Sequence, residues 1–185
     1  ISFQVKMDIP ILSFNVMPME LKERNNFSLI VDSLVEFFNY LLSSECIKKN
    51  QIKISVLGKW YDMPGRLVES IKKITAETKD YDNFFVNFCI NYDGQEELID
   101  SFRIIARKIR SSILDPDSIT KEEVKDNLYS SYFIPPDLII ITGKRKFFGG
   151  FLLWDSIKSK IYFSDKLWPD IKIDDLNVII QKIFK

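Results

Sequence analysis

The residues best suited to chemistry lie in LIIITGKRKFFGGFLLW, from Leu138 to Trp154. Leu138-Ile139-Ile140-Ile141 reads as a buried strand, Lys144-Arg145-Lys146 as a basic loop, and Gly149-Gly150 as the way into a following helix. Strand, cationic loop, glycines and a helix N-terminus together can seat a phosphate, because backbone N–H groups and the helix dipole both favour an anion. The bland alternative is a solvated basic turn, with the two glycines serving only a tight change of direction.

Composition narrows what such a site could do. The chain has no histidine, which removes Ser-His-Asp and Cys-His mechanisms and most zinc sites. Acid–base work would fall to carboxylates, Lys, Tyr or a substrate group. Cys46 and Cys89 stand far apart, without metal-type spacing, and read as free thiols in a reducing compartment. The 26 basic and 26 acidic residues cancel, which argues against nonspecific nucleic-acid binding. No apolar run approaches the roughly 18 residues of a membrane span.

The 185 residues suit a single domain, 1–185, and 46% apolar residues suffice for a core. Strand-like and helix-like stretches alternate: a strand over Ile9 to Asn15, a helix over Phe27 to Leu42, a strand over Ile52 to Leu57, and a helix from Arg66 to Glu77. Phe84 to Asn91 is a strongly apolar strand, turned by Asp93-Gly94 into a helix whose Leu98, Phe102, Ile105 and Ile109 form an inward stripe. Thr120 to Glu123 fits a capping box opening a helix to about Ser130. The Leu138 strand, a helix over Phe151 to Ser159, a strand over Ile161 to Phe163 and a closing helix from Asp174 complete the series. Continuous apolar strands alternating with helices predict an α/β fold, a mainly parallel central sheet covered by helices on both faces. Ligands of such sheets sit beyond the carboxyl ends of the strands, where the 142–150 loop lies. One junction resists: if Ile1 to Val5 is a strand, it meets the next strand without the crossover that parallel neighbours need. Either the first segment is not a parallel neighbour, or a helical segment is missing near residues 6 to 9, the alternative favoured here.

Three stretches resemble the cis-prenyltransferases, the family of undecaprenyl and dehydrodolichyl diphosphate synthases. FCINYDGQEELIDSFR is similar to that family's Asn-Tyr-Gly-Gly-Arg segment, PPDLIIITGKRKFFGGFLLW to its phosphate-binding and Phe-Leu-Leu-Trp run, and KIYFSDKLWPD to its closing signature. The resemblance implies the undecaprenyl diphosphate synthase-like fold. It also implies condensation of isopentenyl diphosphate with an allylic diphosphate into a Z-polyprenyl (dolichol-type) diphosphate. In that reaction Mg²⁺ and basic groups stabilise the departing diphosphate, and the product grows in an apolar tunnel.

The departures from the family pattern are concentrated in charged positions. Met7-Asp8 is followed by Ile-Pro, leaving the family's Asp-Gly-Asn-Arg-Arg unmatched. The two arginines of Arg-Thr-Ser-Gly-Glu-x-Arg fall on Ile141 and Phe147, the glutamate of the closing signature on Lys160, and the arginine after the paired glycines on Gln95. Neither apolar replacement can supply a bidentate guanidinium contact. This pattern resembles the non-catalytic, Nogo-B-receptor-like branch, whose members pair with a catalytic chain, although that branch's C-terminal Arg-x-Gly tail is not found at Gln181 to Lys185.

On this reading the chain holds no catalytic residue and no metal ligand of its own, and Mg²⁺ belongs to the catalytic partner. Asn91, Gly94, Lys144, Arg145 and Lys146 remain as candidates for diphosphate contact. Phe151, Trp154, Lys160, Tyr162, Phe163 and Trp168 are the candidate dimer interface, with a catalytic subunit or a second copy as partner. The alternatives are a divergent active synthase and an isoprenoid-lipid binding protein. The implied location is cytoplasmic, or peripheral on the cytosolic face of a membrane (the endoplasmic reticulum in a eukaryote).

Overall fold

The computed structural model describes residues 1–144 and 146–184, so Arg145 lies outside the described residues. Two compact units are distinguished, Ile1–Glu97 and the residues from Leu98 onward. Every strand pairing in both is parallel.

The first unit runs α1 (Ser2–Lys6), β1 (Ile11–Pro18), α2 (Phe27–Ser43), α3 (Glu45–Lys49), β2 (Ile52–Leu57), α4 (Gly65–Glu77) and β3 (Phe84–Tyr92), and reaches the first turn of α5 (Gly94–Arg110). Its sheet has the order β1-β3-β2. The central strand β3 is buried almost throughout, as its unbroken apolar run requires. Side chains alternate across it. Val86, Phe88 and Ile90 enter one core with Ile52 and Ile54 of β2, Val31, Leu34, Phe38 and Leu41 of α2, and Leu67, Ile71 and Ile74 of α4. The opposite face carries Asn87 and Asn91. Asn87 stands in register between Ser13 and Ser55 and donates to Ser13 Oγ at 3.1 Å.

Aromatic rings fill the centre of this core. Phe88 lies 5.6 Å from Phe14 in a stacked arrangement, and 5.3 and 5.6 Å from Phe37 and Phe38 edge-on. Polar groups lock the periphery: Thr78 Oγ1 donates to Ile74 O at 2.9 Å and accepts from Ile54 N at 3.1 Å, joining the end of α4 to β2.

The awkward N-terminal junction resolves simply. Ser2–Lys6 is helical, not a strand, and its buried Gln4 donates to Phe85 O at 3.0 Å. Asp8 therefore follows a helix, in the left-handed region (φ 53°), and not the strand after which the family's aspartate motif stands.

The second unit contains the rest of α5, then α6 (Lys121–Asp126), β4 (Leu138–Thr142), β5 (Lys160–Ser164) and α7 (Ile173–Phe184). Strand β4 pairs with β5. Thr120 caps α6 as expected, accepting from Glu123 N at 3.2 Å. The reciprocal half of the capping box is absent, because Glu123 turns to Lys108 (2.8 Å) and Asn127 (3.0 Å), which hold its carboxyl below the usual range. Helix α6 ends at Asp126 and not near Ser130.

Two expectations fail here. Phe151 to Ser159 is a run of turns closing in a short helical turn at Asp155–Lys158, because Gly149, Gly150 and Leu152 all adopt positive φ (69°, 74° and 49°). The inward stripe on α5 is also rotated. Ile105 is buried, but Phe102 is 53% exposed, and Glu97 and Ser101 point inward instead.

Truncating Phe88 removes the ring that the other three contact. Phe88→Ala should lower unfolding stability by about 3–5 kcal/mol, read as a reduced urea midpoint at unchanged slope.

Candidate functional site

At the carboxyl ends of β2 and β3 the chain closes on itself. Gly58 follows β2 with φ 99°, and a Cβ there would lie 2.5 Å from Ile90 O, so only glycine fits so close to the neighbouring backbone. Lys59 N then donates to Asn91 O at 3.2 Å, and Asn91 Nδ2 donates back to Lys59 O at 2.9 Å. Asn91 is buried with φ 50°, and its Oδ1 meets no protein donor. Asp93 caps α5, accepting from Gln95 N at 2.8 Å and Glu96 N at 3.0 Å. Gly94 is the buried first residue of that helix. The Lys59 ammonium sits 2.7 Å from Glu96 Oε2. Behind it, Tyr92 Oη donates to the fully buried Glu97 at 2.6 Å. Burial, reinforced by the charge of Glu97, pushes the Cys89 thiol well up, so it is no nucleophile.

The basic loop begins at Gly143, whose N–H is shared between Ser164 O at 2.9 Å and Lys166 O at 2.8 Å. Lys144 is exposed, and Lys146 is exposed and 3.2 Å from Asp165 Oδ1, which offsets part of the loop's charge. No regular helix follows, so the dipole that a phosphate seat would use is not supplied by residues 151–159. Ile141 belongs to β4 opposite Phe163, while Phe147 is 64% exposed.

The residues expected at an interface divide between two faces of β5. Ile161 and Phe163 lie on one face and are exposed; Tyr162, on the other, lies beneath the Lys182 ammonium at 5.6 Å. Lys160 reaches the end of α7, donating to Ile183 O at 2.8 Å and lying 5.0 Å from the Phe184 ring. Trp168 is half-exposed, and Phe151 and Trp154 are partly buried. At the other end of α7, Asp175 accepts from Lys166 Nζ (2.7 Å) and from Lys172 N (2.9 Å), which hold its carboxyl below the ordinary range. A depressed folded value means this tether is present at neutral pH and is lost only as acid titrates Asp175.

One polar cluster escaped the sequence reading. Lys125 Nζ donates to Asp155 Oδ2 at 2.6 Å, Ser130 O at 2.9 Å and Ser130 Oγ at 3.2 Å, and Ser130 Oγ donates to Asp155 at 2.6 Å. Asp155 is 4% exposed. Lys125 and Asp155 are 30 positions apart, and no local spacing signals their meeting. The Lys59–Glu96 pair was missed for the same reason.

Among the described residues no group of three His, Cys, Asp or Glu side chains gathers as a metal site. Asp8, at φ 53°, belongs to no such group.

Comparison with known proteins gives these features a context. The prenyltransferase family described as "Putative undecaprenyl diphosphate synthase" matches residues 1–184. A tritrans,polycis-undecaprenyl-diphosphate synthase (geranylgeranyl-diphosphate specific) of Picrophilus torridus is 36% identical over 83% of this chain and 59% of its own length. The protein of the same name from Thermoplasma volcanium is 34% identical over 95% of this chain and 69% of its own. An isoprenyl transferase of Streptococcus agalactiae is 31% identical, over 82% of this chain and 61% of its own length. The chain thus spans roughly three-fifths to two-thirds of these relatives. Two crystal structures share the fold. Lavandulyl diphosphate synthase from Lavandula x intermedia matches with TM-score 0.90 at 22% identity, over 98% of this chain and 79% of that one. A "probable undecaprenyl diphosphate synthase" from Campylobacter jejuni matches with TM-score 0.85 at 24% identity, over 100% and 84%.

Two substitutions test the local devices. Lys125→Met strands a buried carboxylate at Asp155 and should cost about 3 kcal/mol or more, whereas Arg103→Met, breaking an exposed pair with Asp100, should cost under about 1 kcal/mol in the same denaturant titration. Gly58→Ala should destabilise by about 1–3 kcal/mol through its positive φ and its contact with Ile90 O, seen as a lowered thermal midpoint.

Proposed function

Because this chain belongs to the undecaprenyl diphosphate synthase-like prenyltransferase family, we propose that it is that family's catalytically degenerate partner, a single domain over residues 1–185. It would support a catalytic chain making a Z-polyprenyl diphosphate from isopentenyl diphosphate and an allylic diphosphate. The observation that carries this reading is the pair Ile141 and Phe147, at the positions where the family resemblance places diphosphate-gripping arginines. A strand isoleucine and an exposed phenyl ring offer no donor to a diphosphate. Lys146 is turned to Asp165. Lys144 and Lys146 in the second unit, and separately Asn91 and Gly94 in the first, would at most contact a diphosphate whose chemistry is completed elsewhere.

Pairing would use the exposed face of β5, through Ile161 and Phe163, together with Trp168. Large exposed aromatics of this kind are typical interface anchors. Tyr162 and Lys160 would act one layer back, through α7. No helix among the described residues is long and apolar enough to cross a membrane.

A divergent active synthase is the second reading, favoured by the enzyme names that relatives at 31–36% identity carry. An isoprenoid-lipid binding protein is the third reading; Phe14, Phe37, Phe38 and Phe88 pack on one another and leave that part of the core filled.

A radiolabelled incorporation assay separates the first two. The purified chain with farnesyl diphosphate, isopentenyl diphosphate and Mg²⁺ should form no polyprenyl product; turnover by the chain alone would establish the active-synthase reading instead. Light scattering at micromolar concentration should show a dimer, or a heterodimer once a catalytic family member from the same host is added. Phe163→Ala should weaken that association by about 2 kcal/mol without changing the circular dichroism spectrum. A chain that stays monomeric with and without the catalytic member would end the partner-subunit reading.

A further inference from the structure

Helix α5 is amphipathic the wrong way round. Its buried line is Gly94, Glu97, Ser101 and Ile105, in which Glu97 is 1% and Ser101 0% exposed. Each polar member is satisfied internally: Glu97 by Tyr92 Oη, Ser101 by donating to Val124 O at 3.2 Å. Leu98 and Ile109 are only partly buried, and other apolar residues point outward. Ile99 and Phe102 are 39% and 53% exposed, Ala106 continues their line, and Ile113 just past the helix end is 75% exposed. Burying the fold's own core does not explain this choice of residues.

Beside that apolar line runs a cationic one. Arg103, Arg107 and Arg110 recur at i, i+4 and i+7, neighbours on one side of the helix. The stretch 101–114 carries four cations (Lys108 is the fourth) and no acid, in a chain whose charges balance overall. Two of the four cations are met by carboxylates. Asp100 pairs with Arg103 and accepts from Tyr129, Glu123 holds Lys108, and Asp115 accepts the N–H of Asp117. Arg107 and Arg110 pair with no carboxylate among the described residues.

We infer that the outward face of α5, from Ile99 to Ile113, docks on the surface of an anionic bilayer. Single-file apolar residues flanked by a row of guanidiniums match the boundary between acyl chains and phosphate headgroups, with Phe102 and Ile113 entering the boundary and the arginines meeting phosphates. Within the helix this face runs about 17 Å from Ile99 to Arg110, and its guanidiniums complement the negative charge of such a surface. With only two uncommitted arginines the attachment is weak and reversible. The inference goes beyond the proposed partner role and holds whether or not the chain turns over substrate.

Co-sedimentation of the purified chain with sucrose-loaded vesicles tests it. The chain should pellet with phosphatidylcholine vesicles containing a third phosphatidylglycerol at low salt, should not pellet with phosphatidylcholine alone, and should be released by about 0.5 M salt. Arg107→Glu with Arg110→Glu should reduce binding at least about 25-fold, at roughly five-fold per cation removed near such a surface. Ile99→Ser with Phe102→Ser should reduce it about tenfold. The control Lys48→Glu with Lys49→Glu, on the exposed face of α3, should bind like the parent. Thermal melts confirm that each variant is folded. Absence of binding to the mixed vesicles, equal binding to neutral ones, or equal loss in the α3 control would overturn the assignment. So would an α5 apolar variant that binds unchanged, which would leave the face to a protein surface.

Discussion

Phe88 projects from the middle of β3, the only strand of its sheet with a neighbour on each side, and its ring is met by Phe14 from β1 and by Phe37 and Phe38 from α2. Strand pairing and helix docking are therefore coupled through one side chain. The register that places Phe14 beside Phe88 also places Ser13 beside Asn87 on the opposite face and brings the end of β1 level with Tyr92. A slip of one residue would send the ring toward the polar face and Asn87 into the apolar core. The Gly58–Asn91 closure and the capped start of α5 both follow from β3 keeping that register.

The family relationship and the proposed loss of catalytic charge are compatible in physical terms. A parallel α/β core depends on apolar volume and strand alternation, and these persist in Ile52–Leu57, Phe84–Tyr92 and Leu138–Thr142. Diphosphate chemistry depends on a few charged groups at strand ends, none of which the core needs. Such groups can be exchanged for Ile or Phe without disturbing the sheet. Lys125 and Asp155 show a buried charge pair in a structural role, with every ammonium contact filled by the protein itself.

The strands and long helices were legible because their apolar periodicity is simple, as in the unbroken run of β3 and the Leu34–Phe38–Leu41 line of α2. The rotation of α5 was not, since reading periodicity assumes that apolar residues face inward, whereas here Glu97 and Ser101 are buried with partners of their own. The helix expected after Gly150 fails on backbone conformation: Leu152 takes a positive φ that its side chain gives no hint of. At the candidate site, the basic loop was visible in Lys144 and Lys146, but its partial neutralisation by Asp165 was not, because that contact depends on how β4 and β5 align.

The two thiols turn the first unit into its own recorder of motion. Cys46 is partly exposed on α3, whereas Cys89 lies fully buried in β3, directly opposite Leu57. An alkylating reagent should reach Cys46 in the folded chain but Cys89 only when β3 separates from its covering. The rate of modification at Cys89 then measures how often the central strand opens, and the free energy of that opening follows from comparison with an unfolded thiol. Through its native thiols alone, with no residue replaced, the chain can report whether a partner or a bilayer quiets its core.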